Sequence, residues 1–293
     1  MNRVFAAAAG VVVLAGAASA QDFSQAQITV SPVTDGIYML QGPGGNLGLS
    51  VGEDAVFLVD DQYAPMSDKI RAAIAGITSR PVGFVVNTHW HGDHTGGNES
   101  FGESGALIVA HDKVRERMSS EQFLEFFNLR SPASPPAALP VVTFSDRVTL
   151  HVNTPAHVIH VPHAHTDGDA IVYFAQANVL HMGDIFFHGL YPFIDVSSGG
   201  SIHGMIEGAG KGLALANADT RIIPGHGPLA NREDLKKYRD MLVKLRDRVQ
   251  MLKEDGMRLE QVIDQRPGDE WDGELGNSFI KPADIVTFIY ESL

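Results

Sequence analysis

One short stretch of the chain holds four side chains that could bind a metal ion. They are His89, His91, Asp93 and His94, and the apolar run at 81–86 just before them is typical of a buried strand. Because side chains alternate along a strand, His89 and His91 would point the same way. Asp93 and His94 lie past the strand end among glycines, where a bending chain can aim both at a second point. Imidazole suits Zn²⁺, so the pattern predicts a zinc site.

Four ligands are too many for one open zinc site and too few for two. A catalytic zinc ion takes three protein ligands and keeps one position open. Further ligands should therefore follow, and later turns offer Asp184 and His226. A third imidazole could come from His163 or from His165. The alternative, a histidine-rich surface loop, does not account for these further residues at predicted strand ends.

Short strands and helices alternate in the order needed to bring these residues together. Residues 28–59 have the pattern of an antiparallel meander, followed by a helix near 66–77 and the buried strand at 82–86. Strands, a helix and another ligand-ending strand recur between 148 and 226. A long charged helix near 232–254 and two shorter ones follow. The pattern predicts two sheets flanked by helices, with the ligand-bearing strand ends along one edge.

Composition and charge narrow the classes of function. The chain has 293 residues and a formal net charge of −13, which argues against nucleic acid and anionic membranes as partners. It contains no cysteine, so every metal ligand must be His, Asp or Glu. Acidity alone does not identify a substrate, and the partner that we expect is a small-molecule substrate.

Residues 1–20 have the pattern of a secretory signal peptide. Arg3 supplies the positive end, residues 4–17 are apolar, and Ala18-Ser19-Ala20 is a small-residue cleavage site. A membrane anchor is the alternative, but the apolar stretch is short for a bilayer. We expect a periplasmic or secreted protein without stable membrane insertion, and one domain over residues 21–293.

Taken together, these motifs resemble those of the metallo-β-lactamase superfamily, in the order found there. They are Asp60, His89-Trp90-His91-Gly92-Asp93-His94, His165-Thr166, Gly183-Asp184 and Pro224-Gly225-His226-Gly227. The resemblance implies an α/β fold, a single-domain αββα four-layer sandwich with two zinc ions at one edge. It also implies hydrolysis in which zinc-bound hydroxide attacks a carbonyl.

The same resemblance implies roles for particular residues. It favours His165 over His163, because His165 begins a His-Thr pair. Asp93 would bind zinc and orient the nucleophile as a catalytic residue, and Asp60 would support the motif loop. The implied ligands are His89, His91 and His165 for one zinc ion, Asp93, His94 and His226 for the other, and Asp184 between them.

Departures from the family bear on the substrate. Zinc β-lactamases with a Cys ligand carry that Cys where this chain has Asp184, and a substrate-gripping Lys where it has Phe187. The full ligand set is more similar to glyoxalase II and related thioesterases or lactonases, which are mostly cytoplasmic. Because of the signal peptide we predict a periplasmic dizinc hydrolase with β-lactamase activity. The alternative is a zinc-dependent thioesterase, lactonase or other ester hydrolase; a metal-binding or redox protein on the same fold is a third class.

Two apolar segments could cover the site. The loop at 188–195 follows the fourth motif, and a possible pocket wall comprises Trp90, Phe187, His188 and Tyr191. Ordinary core packing of these side chains is the alternative. Residues 119–140, rich in Phe and then in Pro, would either pack on the body of the protein or form a flap over the site.

Overall fold

The first half of the chain forms a seven-stranded sheet with helices on its outer face. The computed structural model describes residues 22–293, and the predicted signal peptide lies outside the described residues. The elements of this half are β1 (Thr29–Thr34), β2 (Ile37–Gln41), β3 (Leu47–Val51), β4 (Val56–Val59), α1 (Ser67–Ala75), β5 (Val82–Val86), α2 (Gly92–Thr95), α3 (Asn98–Glu103), β6 (Leu107–His111), α4 (Asp112–Met118), β7 (Gln122–Leu124), β8 (Leu129–Ser131) and β9 (Val142–Phe144).

The sheet changes from antiparallel to parallel pairing at β4. Strands β1 to β4 form an antiparallel meander, and β4, β5, β6 and β9 then pair in parallel. Strands β7 and β8 pair only with each other, as an antiparallel hairpin. The meander was predicted, and the parallel segment places the carboxyl ends of β4, β5 and β6 at one edge.

The second half forms a six-stranded sheet in the order β10 to β15, followed by helices. Its elements are β10 (Arg147–Leu150), β11 (Ala156–Val161), β12 (Asp169–Phe174), β13 (Val179–His181), α5 (Ile202–Leu215), β14 (Arg221–Ile223), β15 (Ala230–Asn231), α6 (Arg232–Glu254), α7 (Leu259–Asp264), α8 (Asp269–Leu275) and α9 (Pro282–Ser292). Strands β13 and β14 pair in parallel, so their carboxyl ends also lie together. In residues 22–293 no helix is both long and apolar enough to cross a membrane.

Three apolar layers hold four layers of secondary structure together. The two sheets face each other, and the rings of Phe57 and Phe174 meet between them at 5.7 Å. Ile70 of α1 packs beneath the first sheet, and Met205 of α5 and Leu242 of α6 pack on the second. Full burial of such a side chain contributes about 1.5–3 kcal/mol. The predicted αββα sandwich is therefore confirmed.

Backbone hydrogen bonds join the two sheets at the edge where the strands end. Ala170 N donates to Thr88 O at 2.8 Å, and Asn46 N donates to Gly225 O at 2.7 Å. Within the first sheet, Asp60 N donates to Val86 O at 2.8 Å. The loops that carry the predicted ligands are thus fixed to one another before any side chain is considered.

Candidate metal centre

The structure brings all seven predicted metal ligands to the edge where the two sheets meet. They form three overlapping groups whose potential ligand atoms lie within 4.8 Å of one another. The groups are His89, His91 and His165; His89, His94 and Asp184; and Asp93, His94 and His226. The first and the third group have no residue in common and lie side by side. Two adjacent groups of three imidazole or carboxylate ligands are what a dinuclear centre requires.

Asp184 lies between the groups. Its Oδ1 is 3.1 Å from His94 Nε2, and its Oδ2 is 3.3 Å from His226 Nε2. The same Oδ2 is 3.6 Å from His165 Nε2 and 4.0 Å from His89 Nε2. One carboxylate therefore reaches imidazoles of both groups. Its placement suits the bridging role, which stays a prediction.

The chemistry of the donor atoms fits a metal ion. His89 Nε2, His94 Nε2 and Asp184 Oδ1 are buried and make no hydrogen bond within residues 22–293. Leaving one such atom unsatisfied costs about 1–3 kcal/mol. Three of them turned toward one point are costly without a cation, and nitrogen and oxygen donors of this kind suit Zn²⁺.

Opposite charges at the centre shift one another's pKa values. Burial acts to raise the pKa of Asp93, but the attraction of His94 and His226 prevails and lowers it to about 2. Burial acts to lower the pKa of His226, but Asp184 and Asp93 raise it to about 9. A metal ion bound at His226 would therefore displace a proton.

Asp60 fixes the orientation of the histidine motif from beneath. Its Oδ2 lies 2.8 Å from His94 Nδ1, and its two oxygens accept hydrogen bonds of 2.7 Å from Thr88 N and Thr88 Oγ1. Thr88 Oγ1 in turn lies 3.0 Å from His89 Nδ1. Because the Nδ1–H groups of His89 and His94 are used here, both Nε2 lone pairs face the centre. Asp60 thus contacts the loop that it was predicted to support.

Asp195 fixes the orientation of the His91 ring, and this role of Asp195 was not predicted from the sequence. Its Oδ2 lies 2.9 Å from His91 Nε2, which leaves His91 Nδ1 to face His165 Nε2 at 2.8 Å. Asp195 Oδ1 accepts hydrogen bonds from Ser197 Oγ at 2.5 Å and from Ser198 N at 3.1 Å. The one available signal was an acidic residue at the end of an otherwise apolar loop.

Two glycines let the backbone lie directly against the centre. A Cβ atom at Gly45 would overlap the ring of His94, and one at Gly225 would overlap Asp184 Oδ1. Any side chain at either position would displace a predicted ligand.

A cavity of about 540 Å³ opens over the centre. It is lined by Pro43, Tyr63, Trp90, His91, Gly92, Asp93, Leu124, Phe127, Leu129, Ser131, Asp184, Phe193, His226 and Phe279. Asp93, Asp184 and His226 therefore face the space that a substrate would occupy. Trp90 belongs to its wall, as predicted.

The other three predicted wall residues lie elsewhere. Phe187 is buried behind the metal centre, with its ring stacked on His226 at 5.2 Å. Tyr191 is in the core, where its hydroxyl donates to Asp272 Oδ1 at 2.9 Å. His188 lines a separate cavity between α6 and α8. Apolar character indicated burial correctly but not the direction in which each side chain points.

The β7–β8 hairpin (residues 122–131) lies along one side of the cavity and also packs on the body of the protein. Its movement as a flap stays a prediction. Phe126 packs on the body of the protein, with its ring 5.5 Å from that of Phe193 and 5.0 Å from that of Phe288. Phe127 and Leu129 line the cavity instead.

Comparison with known protein families and sequences gives consistent matches. A model of the Metallo-beta-lactamase superfamily matches residues 43–249. A hydroxyacylglutathione hydrolase of Nitrosococcus oceani is 30% identical over 151 residues, 50% of this chain and 49% of that protein. One of Polaromonas sp. is 27% identical over 171 residues, 57% of each. The chain thus spans about half the length of these curated relatives.

Solved structures share the fold at low sequence identity. The sec-alkylsulfatase Pisa1 of Pseudomonas sp. superposes with a TM-score of 0.66 and 16% identity, over 90% of this chain and 50% of that one. TMB-1 gives 0.59 and 15% over 74% and 98%, and a metallo-beta-lactamase of Pontibacter korlensis gives 0.60 and 17% over 74% and 99%. At these identities the matches establish the architecture alone.

Proposed function

We propose, from the premise that the chain belongs to the metallo-beta-lactamase superfamily and is a hydrolase, that its centre binds two zinc ions and hydrolyses an acyl bond of a small molecule. One observation carries the proposal. Three buried ligand atoms without hydrogen-bond partners in residues 22–293 belong to groups that form the floor of an open cavity. A structural zinc site would be closed, whereas an open cavity leaves room for a reactant.

The residues that would hold the two ions follow from the grouping. His89, His91 and His165 would hold one ion, and Asp93, His94 and His226 the other, with Asp184 placed to reach both. When bound, zinc supplies Lewis-acid polarisation of a carbonyl and makes water more acidic.

The chain itself contributes orientation and exclusion of water. Asp93 lines the cavity and its carboxylate is ionised at neutral pH, so it can accept a hydrogen bond from a water molecule and aim that water at a carbonyl carbon. Trp90 and Phe193 cover the sides of the centre and restrict bulk water.

Among acyl substrates we favour esters, thioesters and lactones over β-lactams. In the described chain, no Lys or Arg lines the cavity that could grip the carboxylate of a β-lactam. Some zinc β-lactamases have a substrate-binding Lys at the position of Phe187. In this chain the side chain of Phe187 is buried and does not line the cavity. The curated relatives named hydroxyacylglutathione hydrolases support this choice. β-Lactam hydrolysis, our first prediction from the sequence, remains the second candidate.

Metal analysis combined with a substrate panel tests the proposal. The zinc-loaded protein should contain two zinc ions per chain and should hydrolyse at least one ester, thioester or lactone. A chelator should abolish that turnover and added zinc should restore it. Nitrocefin in the same panel tests the second candidate. Absence of bound zinc, or turnover that a chelator leaves unchanged, would contradict the proposal.

The localisation of the protein is a second proposal. We infer export to the periplasm from residues 1–20, whose pattern is that of a cleaved signal peptide. Expression of the full chain, fractionation and N-terminal sequencing should recover a periplasmic protein that begins at Gln21. A cytoplasmic protein that retains Met1 would contradict export.

A further inference from the structure

Apart from the predicted metal ligands, the wall of the cavity is largely apolar. The hairpin contributes Leu124, Phe127 and Leu129, and Phe193 and Phe279 come from outside the hairpin. Three of these remain substantially exposed, Phe127 at 45%, Leu129 at 55% and Phe279 at 47%. Large apolar side chains left in contact with water at a cavity wall favour a partner that covers them.

Outside the metal groups, the same wall offers no cationic side chain to an anion. The charged or titratable residues among the fourteen lining residues are Asp93, Asp184, His91 and His226, apart from the phenol of Tyr63, and all four belong to the metal groups. A carboxylate placed along the hairpin would lose water without meeting a cation, which is unfavourable. Zinc ions bound at the floor would leave the hairpin side chains of this wall apolar.

Two arginines near the hairpin are already engaged elsewhere. Arg117 makes hydrogen bonds of 2.7 and 2.9 Å to the two oxygens of Asp167. Arg130 lies 2.8 Å from Glu121 and 5.2 Å above the ring of Phe123. Neither lines the cavity, so neither supplies a ready anion-binding group.

The hairpin is held in a fixed relation to the centre. The ring of Phe193 lies 5.1 Å from that of Phe127, and Phe193 O accepts a hydrogen bond of 2.8 Å from His165 Nδ1. Phe193 therefore touches both the hairpin and a predicted zinc ligand. An apolar chain on the hairpin would thus be positioned relative to a carbonyl over the metal groups.

We propose that the β7–β8 hairpin selects acyl substrates that carry an uncharged apolar chain, and that Phe127 and Leu129 are its specificity-determining residues. The inference rests on the proposed function and names the substrate class of that site. Each methylene group covered by the hairpin should raise kcat/KM by up to about 4-fold. A carboxylate at the far end of the chain should cancel the gain.

A series of p-nitrophenyl esters tests the proposal on the zinc-loaded protein, with the chelator-treated protein as blank. We expect kcat/KM to rise at least about 10-fold from the acetate to the octanoate. Mono-p-nitrophenyl suberate has the same chain length as the octanoate but ends in a carboxylate. It should be hydrolysed at least about 10-fold less efficiently than the octanoate.

Variants of the hairpin separate recognition from general hydrophobicity. Phe127→Ala and Leu129→Ala should each lower the octanoate-to-acetate ratio by about 3-fold or more, since each removes contact area. Leu129→Lys should raise the suberate-to-octanoate ratio. Phe123→Ala is the matched control, because Phe123 is an exposed apolar residue of the same hairpin that does not line the cavity. It should leave both ratios unchanged.

Two failures are distinguishable. Zinc-dependent hydrolysis with equal efficiency for the acetate, octanoate and suberate would overturn the role of the hairpin and leave the proposed hydrolase intact. Ratios that change equally in Phe123→Ala and Phe127→Ala would also overturn it. Absence of chelator-sensitive hydrolysis of these esters would overturn the inference. If every thioester and lactone of the substrate panel also fails, the proposed function is overturned with it.

Discussion

At the scale of single residues, four imidazoles of the centre have one nitrogen committed to a protein partner and the other turned inward; they are those of His89, His91, His94 and His165. Asp60 and Thr88 hold His94 and His89, and Asp195 holds His91. Such partners fix the tautomer and the ring orientation, so the ligand atoms are in place before a metal ion arrives. Substitution of a supporting residue should therefore affect metal binding even though that residue does not touch the metal.

Asp195 provides a direct test of this support. Asp195→Ala should weaken zinc binding by about 10- to 100-fold, because His91 Nε2 loses its partner and the ring is free to turn. Asp195→Asn should have a smaller effect, since its amide oxygen can still accept the hydrogen bond. Zinc affinity from competition with a chromophoric chelator measures both. Equal affinities in wild type and Asp195→Ala would contradict the positioning role.

The ligand assignment itself is tested at His226. His226→Ala should reduce kcat/KM by at least about 100-fold and lower the zinc content, because one group of three would lose a donor. His188→Ala is the matched control, as His188 is a nearby imidazole outside the metal groups. Circular dichroism should show that both variants are folded. Near-normal turnover in folded His226→Ala would refute the assignment.

The residues that sequence reasoning found and missed differ in one physical respect. His89, His91, Asp93 and His94 lie close together along the chain, so spacing alone revealed them. Asp195 acts on His91 from 104 positions away. The contact between Asp195 and His91 forms only when the two sheets pack together, so no local sequence pattern predicts it.

At the scale of elements, the strands and helices with a clear apolar pattern were predictable, and some of the short ones were not. The predicted strand at 82–86 and the helix at 232–254 coincide with β5 and α6. The three-residue strand β9 was missed, because its definition is its pairing with β6 rather than any pattern of its own. The β7–β8 hairpin escaped for the same reason. Long elements carry a full hydrophobic period, whereas short ones depend on their partners.

The start of α6 illustrates a local signal with a measurable effect. Asn231 has the residue type of a helix cap, and its side chain accepts hydrogen bonds from the backbone of Glu233 at 2.8 Å and of Asp234 at 3.1 Å. Asn231→Ala should lower the free energy of unfolding by about 0.5–2 kcal/mol, with activity retained. Chemical denaturation of the two proteins measures the difference. A variant as stable as wild type would show that solvent replaces the cap at no cost.

At the scale of the whole molecule, the metal centre fastens the two halves of the sandwich together. His89 and His94 follow β5 of the first sheet, while Asp184 follows β13 and His226 follows β14 of the second. Any ion bound by these groups would link sheets that otherwise meet through apolar packing and through backbone and side-chain hydrogen bonds. Metal binding and global stability should therefore be coupled.

Removal of zinc should consequently lower the melting temperature. A ligand present at 1,000 times its Kd stabilises the folded state by about 4 kcal/mol, which corresponds to roughly 10 °C for a domain of this size. Calorimetry with zinc and with excess chelator measures the shift. A melting temperature that does not depend on zinc would show that the centre contributes nothing to folding stability.

The donor set of this centre has a consequence for chemical durability. Its predicted ligands are imidazoles and carboxylates alone, and the whole chain contains no cysteine. Thiolate ligands are lost when peroxide converts them to sulfenic and higher acids, whereas imidazole and carboxylate have no corresponding step on that ladder. Oxidising surroundings would therefore leave the centre intact, and its occupancy would follow the supply of metal and the pH rather than the redox state.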